Sequence, residues 1–420
     1  MIIIDHSKMI QKRNKVVLST FGPLHLIKSA EFLSQTVDIR VIQGWIPSWW
    51  NSWLLGPISK MVGYDLKRTI KKRTPNCLKG QNIGLGLPDF LNNAARKFIR
   101  STSTRNKCIV LATSLYGWLS KFYIKDAVIF HVRSGSGFGG AIEYAKKKGM
   151  KVVVDHSIAH PSFMSENLSA EFVKNGVSFN LGLQNPFWRG VVSDCEKADV
   201  ILVNSDFVKQ TFVDTGFNPN KIKVAYLGVR NDFFGLKHNY SIDGKLKILF
   251  TGGFGFRKGA EYALKAMQKL DQLGLNYEFL VVGSNQEAQP LIANYPIKGL
   301  KLIGFIPQDD LKKYLSQSDI YLFPSLCEGC ASSGMEALAA GLPVIATKES
   351  GLPITDGENG LIIESKNVNQ IVDRIFTLVD NIYLREKLGK NAVYLIRNNF
   401  SWDDYAHCVS KIYENILNAD

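Results

Sequence analysis

The chain has 420 residues, 45 % of them hydrophobic, enough for a packed core and a length that favours two domains of roughly 200 residues over one. No apolar run reaches the roughly 18 uncharged residues that crossing a bilayer takes, and the start, MIIIDHSKMIQKR, is too short and too charged for a secretory signal, so a cytoplasmic protein is expected. The net charge of +14 is lopsided: residues 1–240 hold 33 Lys and Arg against 16 Asp and Glu (+17), residues 241–420 hold 18 against 21 (−3), and the basic half suggests an anionic partner such as nucleic acid, acidic lipid or a pyrophosphate-bearing substrate.

Short β-branched runs alternate with helical stretches. In chain order they are KVVLST (15–20) before HLIKSAEFLSQ, DIRVIQ (38–43), CIVLAT (108–113), AVIFHV (127–132) before AIEYAKKKG, KVVVDH (151–156), VILVNS (200–205) before DFVKQTFVDTG, and KIKVAYLG (221–228). This rhythm predicts parallel sheets with helices on both faces. It lapses over the polar stretch 229–245, where the domain boundary is expected. It then restarts with KILFTGG (247–253), YEFLVVG (277–283), KLIGF (301–305), IYLFPS (320–325), PVIAT and GLIIE. The fold class is therefore α/β: two doubly wound, Rossmann-like domains, 1–235 and 236–400, with a cleft between them.

Residues 45–73 break the pattern. Trp45, Trp49, Trp50 and Trp53 precede a cationic stretch that lines up Ile58, Met61, Val62, Leu66 and Ile70. Tryptophan beside Lys and Arg suits an acidic membrane surface, and the competing expectation is an insertion packed on its own domain. The six cysteines are thinly spread, as reduced thiols are. Cys327 and Cys330 form a C-x-x-C with no second pair and no His cluster, which marks them as small packing residues.

Two glycine-rich stretches compete as phosphate sites. In GSGFGG, Gly135, Gly137 and Gly140 satisfy G-x-G-x-x-G between a strand and a helix, with Asp155 ending the next strand, as dinucleotide binding would require. The unit lies mid-domain, however, and small residues in such a loop commonly let a helix sit close on its sheet. The second candidate is spread over the later half. TGGFGFRKG (251–259) leaves a strand and delivers Arg257 and Lys258 to a helix start, where two cations bracket a diphosphate. In EGCASSGMEA the small residues Gly329–Gly334 let a ligand touch backbone amides at a helix N-terminus, which favours an anion. Glu328 before that helix and Glu336 inside it accept hydroxyl hydrogen bonds at the two ends of an elongated ligand. A diphosphate flanked by hydroxyls on both sides is a nucleotide-sugar.

These residues resemble the retaining glycosyltransferases of family four, GT-B enzymes whose signature is Glu, seven residues, Glu, matched by Glu328 and Glu336. ADVILVNSDFVKQTF, ILFTGGFGFRKG, LKLIGFIPQDDLKKYLSQSDIYLFPS and the closing FSWDDYAHCVSKIYENI agree with it over about 200–415. The resemblance implies that 1–235 binds acceptor, that 236–400 binds nucleotide-sugar, and that a helix in 401–420 crosses back to the first domain. It implies that Glu328 holds the transferred sugar, Glu336 the ribose, Lys258 with Arg257 the diphosphate, and the backbone of Cys330, Ala331, Ser332 and Ser333 the phosphate and sugar oxygens. Phe305 and Ile306 would meet the base. Gly22 would sit in the family's glycine loop, and His156, with His160 as a rival, would lie beside the donor sugar.

Three positions depart from the family. Gly253 stands where an Arg is usual, Cys330 where an aromatic is common, and the loop at Gly22 has Pro23 and a single glycine. The chain has no D-x-D, so no metal and no cofactor is expected. The implied reaction is retaining, metal-independent transfer from a nucleotide-diphosphate sugar to a glycan or lipid-linked acceptor in envelope polysaccharide synthesis, by a cytoplasmic or peripheral membrane enzyme with no nucleic-acid partner. Two alternatives remain: a catalytically degenerate protein of the same fold that binds an anionic membrane or polymer, and a phosphorylase.

Overall fold

The structure, a computed structural model, describes residues 14–22, 25–46 and 73–418. The 45–73 segment therefore lies almost wholly outside the described residues; only Trp45, Ile46 and Arg73 of it are seen.

Two sheets organise the chain. The first contains β1 (Lys15–Thr20), β2 (Asp38–Gln43), β3 (Asn82–Gly84), β4 (Ile129–Arg133), β5 (Lys151–His156), β6 (Val200–Val203) and β7 (Ile222–Val224), in the spatial order β3-β2-β1-β4-β5-β6-β7. The second contains β8 (Leu246–Thr251), β9 (Tyr277–Val282), β10 (Leu300–Gly304), β11 (Ile320–Phe323), β12 (Val344–Thr347) and β13 (Leu361–Ile363), ordered β10-β9-β8-β11-β12-β13. All the registers seen are parallel, as β1 with β2 and β4, or β8 with β9 and β11. Parallel strands are covered on both faces, and runs such as VILV and VIAT are accordingly buried throughout.

The helices are α1 (His25–Leu33), α2 (Gly86–Phe98), α3 (Thr102–Ser120), α4 (Ala141–Lys147), α5 (Pro161–Lys174), α6 (Pro186–Lys197), α7 (Asp206–Val213), α8 (Ala260–Gln272), α9 (Gln289–Asn294), α10 (Gln308–Gln317), α11 (Ser332–Ala340), α12 (Val368–Asp380), α13 (Ile382–Asn399) and α14 (Trp402–Leu417). Several open on side-chain caps. Ser205 Oγ accepts from the Val208 amide, and Asn367 and Asn381 cap α12 and α13 in the same way. The chain forms two compact units. One takes in residues up to 155, 193–201 and 406 onward; the other takes in 156–192 and 202–405.

One expected strand is a helix. CIVLAT (108–113) lies inside α3, where the buried residues Ile109, Ala112, Thr113, Tyr116, Gly117 and Ser120 recur at helical spacing. The Thr113 and Ser120 hydroxyls donate to the carbonyls four residues back at 2.7 and 2.8 Å, and Ser101 caps the start. Six residues are too few for their periodicity to separate strand from partly buried helix, and the decisive signals lay outside the run. The three-residue β3, NIG, carries no apolar pattern at all and was not anticipated.

Candidate functional site

In the second sheet β8, β9 and β10 run outward to one side, β11, β12 and β13 to the other, so the strand order reverses between β8 and β11. Loops leaving the carboxyl ends of two such strands diverge and leave a crevice, where doubly wound folds bind ligands. The loop after β8 passes Gly252 (φ +110°) and Gly259 (φ +73°), and a Cβ on Gly259 would stand 1.9 Å from the Pro324 carbonyl oxygen in the loop after β11. The two loops are also bonded: the Leu326 amide and the Ser325 hydroxyl donate to the Arg257 carbonyl at 2.9 and 3.2 Å.

Arg257 and Lys258 come from the short 3-10 turn Phe256–Lys258, and both meet Glu328. Glu328 Oε1 lies 2.7 Å from Arg257 Nη1 and 3.6 Å from Lys258 Nζ. The Arg257 Nη1 group donates instead to the Cys327 carbonyl at 2.7 Å. Glu328 Oε1 is thus buried against charge, yet among the described residues it accepts no aligned hydrogen bond. Burial would lower the Arg257 pKa, but the Glu328 carboxylate beside it raises it above the usual value. At Lys258 burial prevails and lowers the pKa, although Glu328 opposes it. The Lys258 ammonium also sits 5.0 Å from the centre of the Phe323 ring.

The start of α11 faces the same loops. It has no side-chain cap. The Ala331 amide is taken by the Ser350 carbonyl at 3.1 Å, whereas the amides of Cys330, Ser332 and Ser333 meet no acceptor among the described residues. The Ser333 hydroxyl accepts from Tyr321 (3.0 Å) and donates to the Thr251 carbonyl (3.3 Å), fixing the first helical turn over the ends of β8 and β11. Further along α11, Glu336 Oε1 accepts from Gln308 Nε2 at 2.9 Å, and burial pushes its carboxyl up to about 7. Phe305, just past β10, is 84 % exposed and Ile306 is half-buried.

Arg257, Lys258, Glu328, Cys330, Ala331, Ser332 and Ser333 are therefore brought together. His156 ends β5, buried, its ring edge-to-face on Phe212 at 4.9 Å, and the next residue abuts the site: a Cβ on Gly329 would fall 2.1 Å from the Ser157 carbonyl oxygen. His160 has another job. Its Nδ1 accepts from the Ser162 amide at 3.2 Å as the N-cap of α5, and burial lowers its pKa to about 4. Gly22 belongs to the first unit, where its carbonyl accepts from the Thr20 hydroxyl at 3.0 Å.

The GSGFGG loop is already satisfied. The Gly135 and Gly137 amides donate to Asp194 Oδ2 at 2.8 and 3.1 Å, and burial pushes the Asp194 carboxyl up to about 7. A Cβ on Gly139 would stand 2.1 Å from the Ser114 carbonyl oxygen on α3, so this glycine serves close packing. Asp155, the supposed ribose acid, is bound by His25 Nε2 (3.1 Å) and Arg133 Nη1 (2.8 Å). Burial would raise its pKa, but these two neighbours hold it well below the carboxylate range.

Sequence reasoning missed Gln308, Arg230, and the Thr251–Tyr321–Ser333 chain. Gln308 opens α10 directly after Pro307, a position visible in the text; nothing local marked the others. It also missed the His25–Asp155–Arg133 cluster, which lies where the first sheet reverses between β1 and β4.

Residues 236–393 match the family model described as Glycosyl transferases group 1. The chain is 28 % identical over 225 residues to an uncharacterized glycosyltransferase, MJ1178, of Methanocaldococcus jannaschii, covering 52 % of this chain and 60 % of that one. It is 33 % identical over 165 residues to the amylovoran biosynthesis glycosyltransferase AmsK of Erwinia amylovora, covering 37 % and 40 %. The chain thus spans between two-fifths and three-fifths of the length of these relatives. Among solved structures it is similar to sucrose-phosphate synthase from Thermosynechococcus elongatus (TM-score 0.68, 16 % identity, 97 % of this chain and 100 % of that one). It is similar also to Anabaena Alr3699/HepE in complex with UDP (TM-score 0.62, 14 % identity, 96 % and 100 %). At such identities the likeness speaks for the fold. The chain is built of two parallel-sheet, Rossmann-like α/β domains of the GT-B kind, and its residues 236–393 are similar to the glycosyl transferases group 1 family.

Proposed function

We propose that the protein is a retaining glycosyltransferase that moves a sugar from a nucleotide-diphosphate sugar to a glycan or lipid-linked acceptor in envelope polysaccharide synthesis. The observation that carries this is Glu328 Oε1, a buried carboxylate oxygen beside two cations and, among the described residues, without a hydrogen-bond donor aligned on it. Such an oxygen favours a ligand hydroxyl, and the two cations beside it favour negative charge on the same ligand. In this reading Glu328 holds a sugar hydroxyl, and Arg257, Lys258 and the amides of Cys330, Ser332 and Ser333 neutralise the diphosphate as it leaves. These groups are fixed before charge develops, so they act on the transition state without reorganising, and neither a metal nor a cofactor is called on. The acceptor hydroxyl attacks the anomeric carbon on the face the diphosphate leaves and gives its proton to a phosphate oxygen. Glu336 takes the ribose, Phe305 and Ile306 the base, and His156 lies beside the donor sugar. Alr3699/HepE, similar in fold, is known in complex with UDP-glucose, and AmsK is named for amylovoran biosynthesis, which supports a sugar-nucleotide donor and a polysaccharide product. Acceptor binding is assigned to the first domain, including Gly22, and the enzyme works on the cytoplasmic side, at the membrane surface if residues 45–73 engage it.

The test is thermal unfolding with UDP-, GDP- and ADP-sugars, followed by transfer with the donor that stabilises. A raised Tm for one donor, lost in Glu328→Ala, is expected; indifference to all of them refutes the reading.

A further inference from the structure

Helix α2 is amphipathic the wrong way round for a helix that only covers a sheet. Its apolar residues Leu87, Phe90 and Phe98 are 60 %, 69 % and 74 % exposed, and Leu91 is exposed with them. Positions 87, 90, 91 and 98 follow the helical repeat, so these side chains share one stripe. The acid of the same helix points inward instead: Asp89 is buried, pairs with Arg73 at 3.2 Å and accepts the Trp45 amide at 3.0 Å. At the end of α3, against which α2 packs, Trp118 and, just past the helix, Phe122 are exposed too, ring to ring at 5.3 Å. Stripes of this kind usually mark a docking surface.

Charge says what docks. From Phe90 to Lys125 the chain carries seven basic residues (Arg96, Lys97, Arg100, Arg105, Lys107, Lys121, Lys125) and no Asp or Glu. Aromatic and aliphatic side chains that reach past the headgroups, with cations around them, match an acidic lipid surface. A protein partner of ordinary mixed charge would not call for 36 consecutive residues without an acid. We propose that the exposed face of α2, with the neighbouring end of α3, is a docking site for an acidic membrane. Phe90 and Phe98 enter the interface and Arg96, Lys97 and Arg100 meet the headgroup phosphates. None of these residues belongs to the donor site.

The experiment is co-sedimentation of the full chain with vesicles of phosphatidylcholine alone and with about one-third phosphatidylglycerol, at low and high salt. Three proteins are compared: wild type, Leu87→Ser/Phe90→Ser/Phe98→Ser, and Arg96→Gln/Lys97→Gln/Arg100→Gln. Wild type should bind the acidic vesicles, weaken as salt shortens the screening length, and lose about tenfold or more in affinity in each variant. Unaltered thermal unfolding of the variants shows that the fold is intact, as expected for exposed positions. Wild-type binding in both variants overturns the proposal and moves the contact elsewhere, residues 45–73 included. No wild-type binding to acidic vesicles also overturns it and leaves the face to a second protein or a second copy. Equal binding to neutral vesicles removes the role given to the cations.

Discussion

Gln308 steadies Glu336: its side-chain amide donates to Glu336 Oε1 at 2.9 Å, while its own Oε1 accepts from Arg230 Nη1 at 2.6 Å. Arg230 is in turn paired with Asp232, so the carboxylate proposed to take the ribose is aimed through a relay of three side chains. Gln308→Ala should weaken binding of the diphosphate nucleotide by roughly 3- to 10-fold, the scale of one hydrogen bond. Titration calorimetry with the ribonucleotide and its 2′,3′-dideoxy analogue checks this. An equal loss for both would mean that Gln308 does not act through the ribose.

Glu336 also gives a pH signature. Burial raises its carboxyl to about 7 from the ordinary 4.5, so between these values the folded protein binds a proton that the unfolded chain has released. Stability therefore falls as pH rises through that window, by on the order of 3 kcal/mol once above about 7. Glu336→Gln should raise Tm at pH 8 and leave it nearly unchanged at pH 4. Its nucleotide affinity should fall most at alkaline pH, where wild type presents a carboxylate. A Tm difference independent of pH would contradict the assignment.

Lys258→Ala should cut transfer by about 100- to 1000-fold, the usual effect of deleting one preorganised group that meets transition-state charge. The same change relieves the burial of a cation and should leave Tm close to wild type. Steady-state kinetics with the identified donor decides it, and near-normal kcat would remove Lys258 from the site.

Asp194→Ala leaves the buried Gly135 and Gly137 amides without their acceptor and should cost about 1–3 kcal/mol per stranded donor. Denaturant unfolding measures it. Neither NAD nor NADP should shift the Tm of wild type, because the amides that a pyrophosphate would need already serve this carboxylate.

Apolar runs were enough to place every strand of both sheets but β3, since most of these parallel strands, buried on two faces, write themselves as short runs of branched residues. CIVLAT was misread because a half-buried stretch of helix, with Leu111 exposed, looks no different over six residues. At the site, the glycines and the E-x7-E spacing pointed to Lys258, Glu328 and α11. Asp194 and GSGFGG show the limit: the motif fits a phosphate, and only the fold reveals a carboxylate 57 residues away already in its place. Partners this remote in sequence leave no local mark. His160, a rival to His156 by its nearness in sequence, has a second task that no local pattern announced, its Nδ1 capping a helix.

The glycines of the loops around this crevice differ in how much change they admit. Gly259, Gly329 and Gly351 each lie within about 2 Å, measured from an added Cβ, of another backbone carbonyl, and the first and last also hold positive φ. Gly253 has nothing within 4 Å of such an atom. Natural drift and laboratory libraries are thus channelled to one rim of the crevice. Gly253→Arg should fold normally and add a third cation, while the glycine at 329 tolerates no replacement. How readily this scaffold changes what its crevice can hold is set by that unequal freedom.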